Sequence, residues 1–358
     1  MASQARAPRS RPSGKQPADS PTKRAGTVAL VGRPNVGKST LLNALIGERL
    51  AITSHQPQTT RDQIRGILTT ERAQFVFLDT PGIHEQRSKL GERMNQLAQG
   101  AAVDADVVLF VVDVPSNAST NIREDDTRVL RAIPEGQAVV LVVNKIDRIT
   151  PKEKLFDVLA AFGALRDFSA VVPISAKKTD GLERLLGVIE QLLPEGPLLY
   201  PEDELSDRPV RFFVGELVRE QVLLCTRQEV PHGVAVTVDA FEEPPLGKRG
   251  KPVTRVTLSI HVAKESHKGI IIGQGGAMLT RIGTRARQRA ERLLGHAVHL
   301  DVRVRSTPGW FDDAARLAEL GYGDDQAARP SRTRASRPSP SNKRRASPKP
   351  RTSIRSDE

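Results

Sequence analysis

Nine consecutive residues, Gly32-Arg33-Pro34-Asn35-Val36-Gly37-Lys38-Ser39-Thr40, have the types and spacing that phosphate chemistry requires. They follow an apolar run, Thr27 to Val31, and open into Leu41-Leu42-Asn43-Ala44-Leu45, so the order reads strand, glycine loop, helix. In that context the backbone N–H groups of the loop and of the helix N-terminus converge on a polyphosphate. Lys38 then reaches the β- and γ-phosphates and Ser39 ligates magnesium. A glycine turn ahead of an amphipathic helix would use similar letters, so the rest of the chain has to decide.

The elements that would position such a site follow in order. Pro57-Gln58-Thr59-Thr60-Arg61-Asp62 is polar without periodicity and reads as a loop. Gln74-Phe75-Val76-Phe77-Leu78-Asp79-Thr80-Pro81-Gly82 reads as a buried strand ending in an acid. Asp79 there is placed to hold magnesium through water, and Gly82 lets its N–H approach a γ-phosphate. Further strands at Val107–Asp113, Val139–Val143 and Ala170–Ile174 alternate with helical stretches, which indicates an α/β domain with a mostly parallel sheet. Asn144-Lys145-Ile146-Asp147 falls beyond a strand's carboxyl end, where ligands bind in such sheets. The Asp147 carboxylate can accept both guanine N1–H and the exocyclic amine, the Lys145 stem can lie along the base, and Ser175-Ala176-Lys177 can offer N–H groups to guanine O6.

These motifs, each at a strand end or before a helix, resemble the translation-factor-related GTPases. The resemblance implies GTP and GDP as ligands, magnesium held by Ser39, Thr60 and Asp79, and Lys38, Thr60 and Gly82 as the catalytic set. Nucleotide contacts are implied across residues 32–40 and at Asp79, Thr80, Pro81, Gly82, Asn144, Lys145, Asp147, Ser175, Ala176 and Lys177. Thr59 competes with Thr60, and the sequence does not decide which hydroxyl points inward. Ile83 stands where Ras-like proteins carry a water-orienting glutamine, so the chain is similar to the group with an apolar residue there. In that group the asparagine at Asn35 helps hold potassium; loop-shaping by its side chain is the alternative.

Residues 194–209 carry four prolines and five acids and read as an extended, semi-rigid linker. A helical pattern from Arg211, strands at Gly233–Phe241 and Val253–Val262, Ile270-Ile271-Ile272-Gly273-Gln274-Gly275-Gly276, a long helix through Leu294 and a strand His299–Val304 follow. That order matches an α+β type II KH domain, in which Gly273 and Gly276 bring backbone to nucleic-acid phosphates and Ile271 and Ile272 line a groove for bases. Arg281, Arg285, Arg287 and Arg289 make the following helix basic. Residues 208–310 hold seventeen Lys/Arg against nine Asp/Glu, whereas residues 25–207 hold twenty against twenty-five. Only the second domain is charged to meet a phosphate backbone.

A GTPase followed by this domain and by Pro308-Gly309-Trp310-Phe311-Asp312-Asp313 resembles the bacterial Era GTPases over about residues 25–325. The resemblance implies binding near the 3′ end of 16S ribosomal RNA, and a part in small-subunit (30S) assembly and maturation. RNA contacts are expected at Lys264, Lys268, Ile271, Ile272, Gly273, Gln274, Gly275, Gly276, Arg281 and Arg285, with His267 and Trp310 as further candidates. Trp310 is as well suited to the core. Many relatives carry a lysine inside the Gly-x-x-Gly loop; this chain has Gln274 and Gly275, so a phosphate contact is either lost or supplied by Lys268 or the C-terminal arm.

The chain has 358 residues, 38% hydrophobic, enough for a core in each of two domains, and a net charge of +12. Residues 1–24 hold six Lys/Arg against Asp19, and residues 329–358 hold ten against Asp357 and Glu358. Both ends are rich in Pro, Ser and Arg and read as disordered basic arms, suited to nonspecific attraction to nucleic acid or to weak peripheral association with an anionic membrane. The expected divisions are 1–24 arm, 25–200 GTPase domain, 201–210 linker, 211–325 KH domain and 326–358 tail. No apolar stretch serves as a secretory signal or a membrane span, which favours a monomeric cytoplasmic protein, in part peripheral on the inner membrane. The single cysteine, Cys225, excludes an intrachain disulfide. Two other readings compete: an RNA chaperone with negligible turnover, and a membrane-associated cell-cycle GTPase.

Overall fold

Four nearly unbroken apolar runs become the middle of a six-stranded sheet in the computed structural model. It describes residues 23–323 apart from 55, 57, 86–87, 115–121, 152, 227–229, 231–232 and 245–251. Residues 1–22 of the expected arm and the whole expected tail lie outside that set. The first domain runs β1 (Arg24–Val31), α1 (Lys38–Ile46), β2 (Ile64–Thr69), β3 (Ala73–Asp79), α2 (Lys89–Asp104), β4 (Val107–Asp113), α3 (Glu124–Arg131), β5 (Val139–Asn144), α4 (Lys154–Gly163), β6 (Ala170–Pro173) and α5 (Leu182–Leu192). Strand order is β2-β3-β1-β4-β5-β6, with only β2 antiparallel.

Every residue of β3, β4 and β5 is buried, as a parallel sheet covered on both faces requires. One face packs Leu41, Leu42 and Leu45 of α1 with Leu185 and Ile189 of α5. The other packs Ala98, Ala101 and Ala102 of α2 with Val129 of α3 and Val158 and Phe162 of α4. The strands' carboxyl ends therefore open on one edge, with Asp79, Asp113 and Asn144 as their last residues.

Two features depart from the expectation. β1 begins at Arg24, assigned to the arm, because Arg24 Nη1 donates to the Leu193 carbonyl (2.8 Å) and ties the strand to the end of α5. β2 follows the expected loop and is a strand that the sequence reading did not name. Its Gly66 breaks the apolar run, and a Cβ there would come within 2.7 Å of Leu42 Cδ1, so α1 packs directly on bare backbone.

The second domain runs α6 (Val210–Thr226), β7 (Val234–Glu242), β8 (Val253–Val262), α7 (Glu265–Ile272), α8 (Ala277–Leu294) and β9 (Ala297–Ser306), closed by the short α9 (Ala314–Leu317). Its sheet is β7-β8-β9, antiparallel then parallel. Val214, Val218 and Val222 of α6 meet Ile271, Ile282, Ala286 and the inward strand residues in one core. The linker is pinned along the first sheet: Ile67 N donates to the Leu205 carbonyl (2.9 Å), and the Gln74 amide donates to the Tyr200 carbonyl (2.9 Å). Trp310, Leu317 and Tyr322 pack with Leu90 and Met94 of α2, so residues 23–323 form one unit. No helix among the described residues is long and apolar enough to cross a membrane.

Candidate functional site

The loop between β1 and α1 is shaped by contacts that only glycine permits at two places. A Cβ on Gly32 would lie 2.3 Å from the Val111 carbonyl oxygen. A Cβ on Gly37, at φ 105°, would lie 2.4 Å from Asn144 Nδ2. Asn35 adopts a left-handed φ of 63°, which asparagine tolerates better than most residues. Lys38 Nζ donates to the Gly32 and Arg33 carbonyls (2.9 and 3.1 Å), bridging the loop's first turn. Burial lowers Lys38 to about 8 against the pull of Asp79.

Three oxygens converge beside it. Ser39 Oγ donates to Asp79 Oδ2 (2.7 Å) and lies 2.8 Å from Thr60 Oγ1. Thr59 turns away, its hydroxyl donating to the Gln56 carbonyl (2.7 Å), so Thr60 is the threonine that faces the cluster. Asp79 is fully buried, and its Oδ1 has no hydrogen-bond partner among the described residues. Burial raises its pKa to about 6, against Lys38 and the two hydroxyls. An orphaned, buried carboxylate oxygen next to two hydroxyls is a hard-donor set that fits magnesium, whose charge would reverse the penalty on the carboxylate.

On the base side, Asn144 ties three segments together. Its Nδ2 donates to the Val36 carbonyl (2.9 Å), and its Oδ1 accepts from Lys145 N (2.8 Å) and Ala176 N (3.0 Å). Lys145 Nζ donates to the Asn35 carbonyl (2.5 Å) and to Asp113 (2.9 Å). The Ser175 hydroxyl donates to Asp147 Oδ1 (2.7 Å) and holds that carboxyl below the usual carboxylate range. Lys177 is exposed. Across the loop, Gly82 lies against Pro34, where a Cβ would come within 2.6 Å of the backbone nitrogen. Thr80 donates to the Leu30 carbonyl (2.7 Å), a packing contact. The Arg33 guanidinium pairs with Asp113 and with Asp126 (3.1 Å), so only its backbone faces the loop.

In the second domain a cavity of about 350 Å³ lies between α8 and β9, lined by Leu279, Thr280, Gly283, Thr284, Arg287, His299, Leu300 and Val302. The Gly273–Gly276 turn precedes α8, with Gly273, Gly275 and Gly276 at φ 69°, 59° and 82°. A Cβ at Gly275 or Gly276 would meet nothing within 4 Å, so this backbone is open to a large partner.

The comparisons with known proteins agree on both halves. Residues 27–145 match a family described as 50S ribosome-binding GTPase, and residues 229–310 match the KH domain family. GTPase Era of Trichlorobacter lovleyi is 45% identical over 301 residues, covering 84% of this chain and 98% of that protein. The chain belongs to the Era GTPase family. Era of a Geobacter species is 44% identical with the same coverage. Two solved Era structures, each at 37% identity and covering 84% of this chain and 99% of theirs, superpose well: an Aquifex aeolicus variant bound to GDP and aluminium fluoride (TM-score 0.78), and Era with MgGDPNP and nucleotides 1506–1542 of 16S ribosomal RNA (TM-score 0.79). Like its relatives, this Era-family chain is a GTPase with a P-loop domain and a C-terminal KH domain.

Several expected RNA contacts stand elsewhere in this Era-family fold. Ile271 is fully buried and belongs to the domain core, because a short helix can turn only part of its Ile-Ile-Ile run outward. Trp310 is fully buried, with Nε1 donating to the Gly233 carbonyl (3.2 Å) and Arg61 stacked over its ring at 5.5 Å. Arg281 and Arg285 are exposed and do not line the cavity: Arg285 lies a quarter turn or more from the lining positions 280, 283, 284 and 287 and reaches toward Cys225 on α6, while Arg281 stands on the rim, one turn before Thr284. Lys268 is partly engaged by Glu265 (3.6 Å). Lys264, Gln274, Gly275 and Ile272 keep solvent access. Thr280, Thr284, Arg287 and His299 line the cavity and were not among the expected contacts; the stripe of small residues at helical spacing on α8 was their one legible signal.

Proposed function

We propose that the KH groove holds a single-stranded segment near the 3′ end of 16S ribosomal RNA, and that the chain assists maturation of the small ribosomal subunit. The observation that carries this reading is the likeness to Era bound to MgGDPNP and 16S nucleotides 1506–1542, which spans both domains and 84% of the chain. The matched family description names the 50S particle, but it covers only residues 27–145, so the two-domain likeness weighs more.

Within that reading, Lys38 and the N–H groups of residues 35–40 bind the phosphates, and the Gly82 N–H meets the γ-phosphate. Ser39 and Thr60 would hold magnesium, with Asp79 behind them through water, and the bound ion would supply positive charge against the phosphates. Asp147 reads guanine, with Lys145 along the base and Ser175–Lys177 at O6. Ile83 is 4% exposed among Ala29, Val31 and Leu78 and cannot orient water, which favours charge supplied by potassium at Asn35. Gly273–Gly276 and Lys264 position RNA phosphates, while Ile272, Thr280, Thr284 and Arg287 face the bases. The functional divisions are 25–200, 201–210 and 211–325, the chain works as a cytoplasmic monomer, and the basic arms add weak attraction to RNA or to anionic membrane.

GTP turnover measured with and without an RNA of that sequence tests the reading. Turnover should rise with this RNA and not with a scrambled one, and should be faster in potassium than in sodium at equal ionic strength. Absence of turnover under all conditions, with RNA still bound, would favour a chaperone instead.

A further inference from the structure

Thr53, Gln56 and Thr59, which lead toward Thr60, are held by one helix of the other domain. On α6 the side chains of Glu216, Arg219, Glu220 and Leu223 share a face at helical spacing. Arg219, 1% exposed, makes a bidentate pair with Glu216 (2.7 and 2.6 Å), and its Nη2 also donates to the Thr59 carbonyl (2.5 Å). Glu220 is fully buried: Oε1 accepts from Thr53 N (3.1 Å) and from Arg49, and Oε2 accepts from Arg289 of α8. Gln56 Nε2 donates to the Leu223 carbonyl (3.1 Å).

A peptide unit is planar, so a guanidinium that holds the Thr59 carbonyl also sets the direction of the Thr60 N–H and Cα. Thr60 is the residue whose hydroxyl meets Ser39 and Asp79. The neighbouring Glu220 is shared between this segment and α8, the helix whose other face lines the groove. A buried carboxylate bound to two cations is sensitive to either one moving, because the remaining partners cannot be solvated in its place.

We propose that Arg219 is a positioning residue for Thr60, and that Glu220 makes this position depend on α8, so that RNA in the groove and GTP in the loop site stabilise the same arrangement. The inference rests on the functional reading above. Coupling of this kind is reciprocal: whatever factor GTP gains from RNA relative to GDP, RNA gains from GTP.

The test uses the full chain, with magnesium and either GDP or GDPNP, and an RNA of 16S nucleotides 1506–1542. Wild-type RNA affinity should differ between the two nucleotides by at least about fivefold. Glu220→Gln should bring that ratio within about twofold while GDP affinity stays within about twofold of wild type. Arg219→Ala should lower kcat by about tenfold or more at unchanged GDP affinity, and should add nothing when Thr60 is already alanine. If Arg219→Ala loses GDP binding through misfolding, Arg219→Lys decides: a single ammonium that pairs with Glu216 cannot also hold the Thr59 carbonyl, so kcat should still fall, and wild-type kcat overturns the proposal. Equal wild-type RNA affinities in both nucleotide states, an unchanged ratio in Glu220→Gln, or additive losses for Thr60 and Arg219 would each overturn it while leaving GTP hydrolysis and RNA binding intact. A wild-type chain that binds no such RNA would instead bring down the functional reading itself.

Discussion

The nucleotide site and the RNA groove meet their ligands on different terms. Around the loop, Lys38, Ser39, Asn144, Lys145 and Ser175 already hold one another or the backbone, largely out of solvent. In the KH domain, Gly275 and Gly276 have open space in front of them, and the groove is walled by a helix face and an edge strand. A preorganised polar site discriminates through hydrogen bonds that a wrong ligand leaves unmade, whereas an open backbone and a shallow groove select by shape, stacking and charge. Single substitutions should therefore cost far more in the first region than in the second.

The largest effect expected is at the base. Asp147→Asn exchanges an acceptor for a donor opposite the guanine amine, and should shift preference from GTP to xanthosine triphosphate by about 10,000-fold. Competition binding of the two nucleotides measures it, and an unchanged GTP preference would remove Asp147 from the base site. Thr60→Ala should come next. If the Thr60 hydroxyl is needed only when γ-phosphate and magnesium are both present, as proposed, kcat should fall about 100-fold while GDP affinity holds within about twofold. Equal losses in kcat and GDP affinity would mean that Thr60 only supports the fold.

On the other side of the comparison, Gly276→Asp places a negative charge at the turn proposed to meet RNA phosphate. Its Cβ has room, and Asp tolerates the left-handed φ of 82° better than most residues at some cost in stability, so the domain should still fold and basal GTP turnover should persist, while affinity for the cognate RNA should drop by about tenfold to 100-fold. An RNA titration by fluorescence anisotropy reads this, and wild-type affinity would show that the turn does not meet phosphate. The smallest effect expected distinguishes the two faces of α8. Arg287→Ala should weaken cognate RNA by about fivefold and Arg281→Ala by less than about twofold; the reverse order would place the RNA on the α6 side of the helix.

What was legible in the sequence divides along the same line. That Gly32, Gly37, Lys38, Ser39, Asp79 and the Asn144–Asp147 segment gather at the strand ends was legible, because phosphate, magnesium and guanine chemistry each require particular atoms at such places. The choice between Thr59 and Thr60 was not, since it depends on Thr59 closing a local turn onto the Gln56 carbonyl. The groove was half legible: charge drew attention to Arg281 and Arg285, while helix rotation puts Thr280, Gly283 and Thr284 against β9. Among the three isoleucines, Ile271 goes to the core, a matter of helix orientation that composition does not carry. The contacts of Arg61, Arg219 and Glu220 join residues more than a hundred positions apart, and no local pattern announces them.

The placement of Trp310 has a spectroscopic consequence. It is the only tryptophan in the chain, fully buried, with the Arg61 guanidinium over its ring, the Tyr322 ring at 5.6 Å and Leu90 and Met94 of α2 in the same cluster. Intrinsic emission excited at the red edge therefore comes from one site on the seam between the domains, with no background from either interior. If the domains separate there, the indole loses the Arg61 cation and the α2 side chains and gains water, so its emission should move to longer wavelength and become accessible to iodide. The chain thus carries a native, label-free optical gauge of that seam.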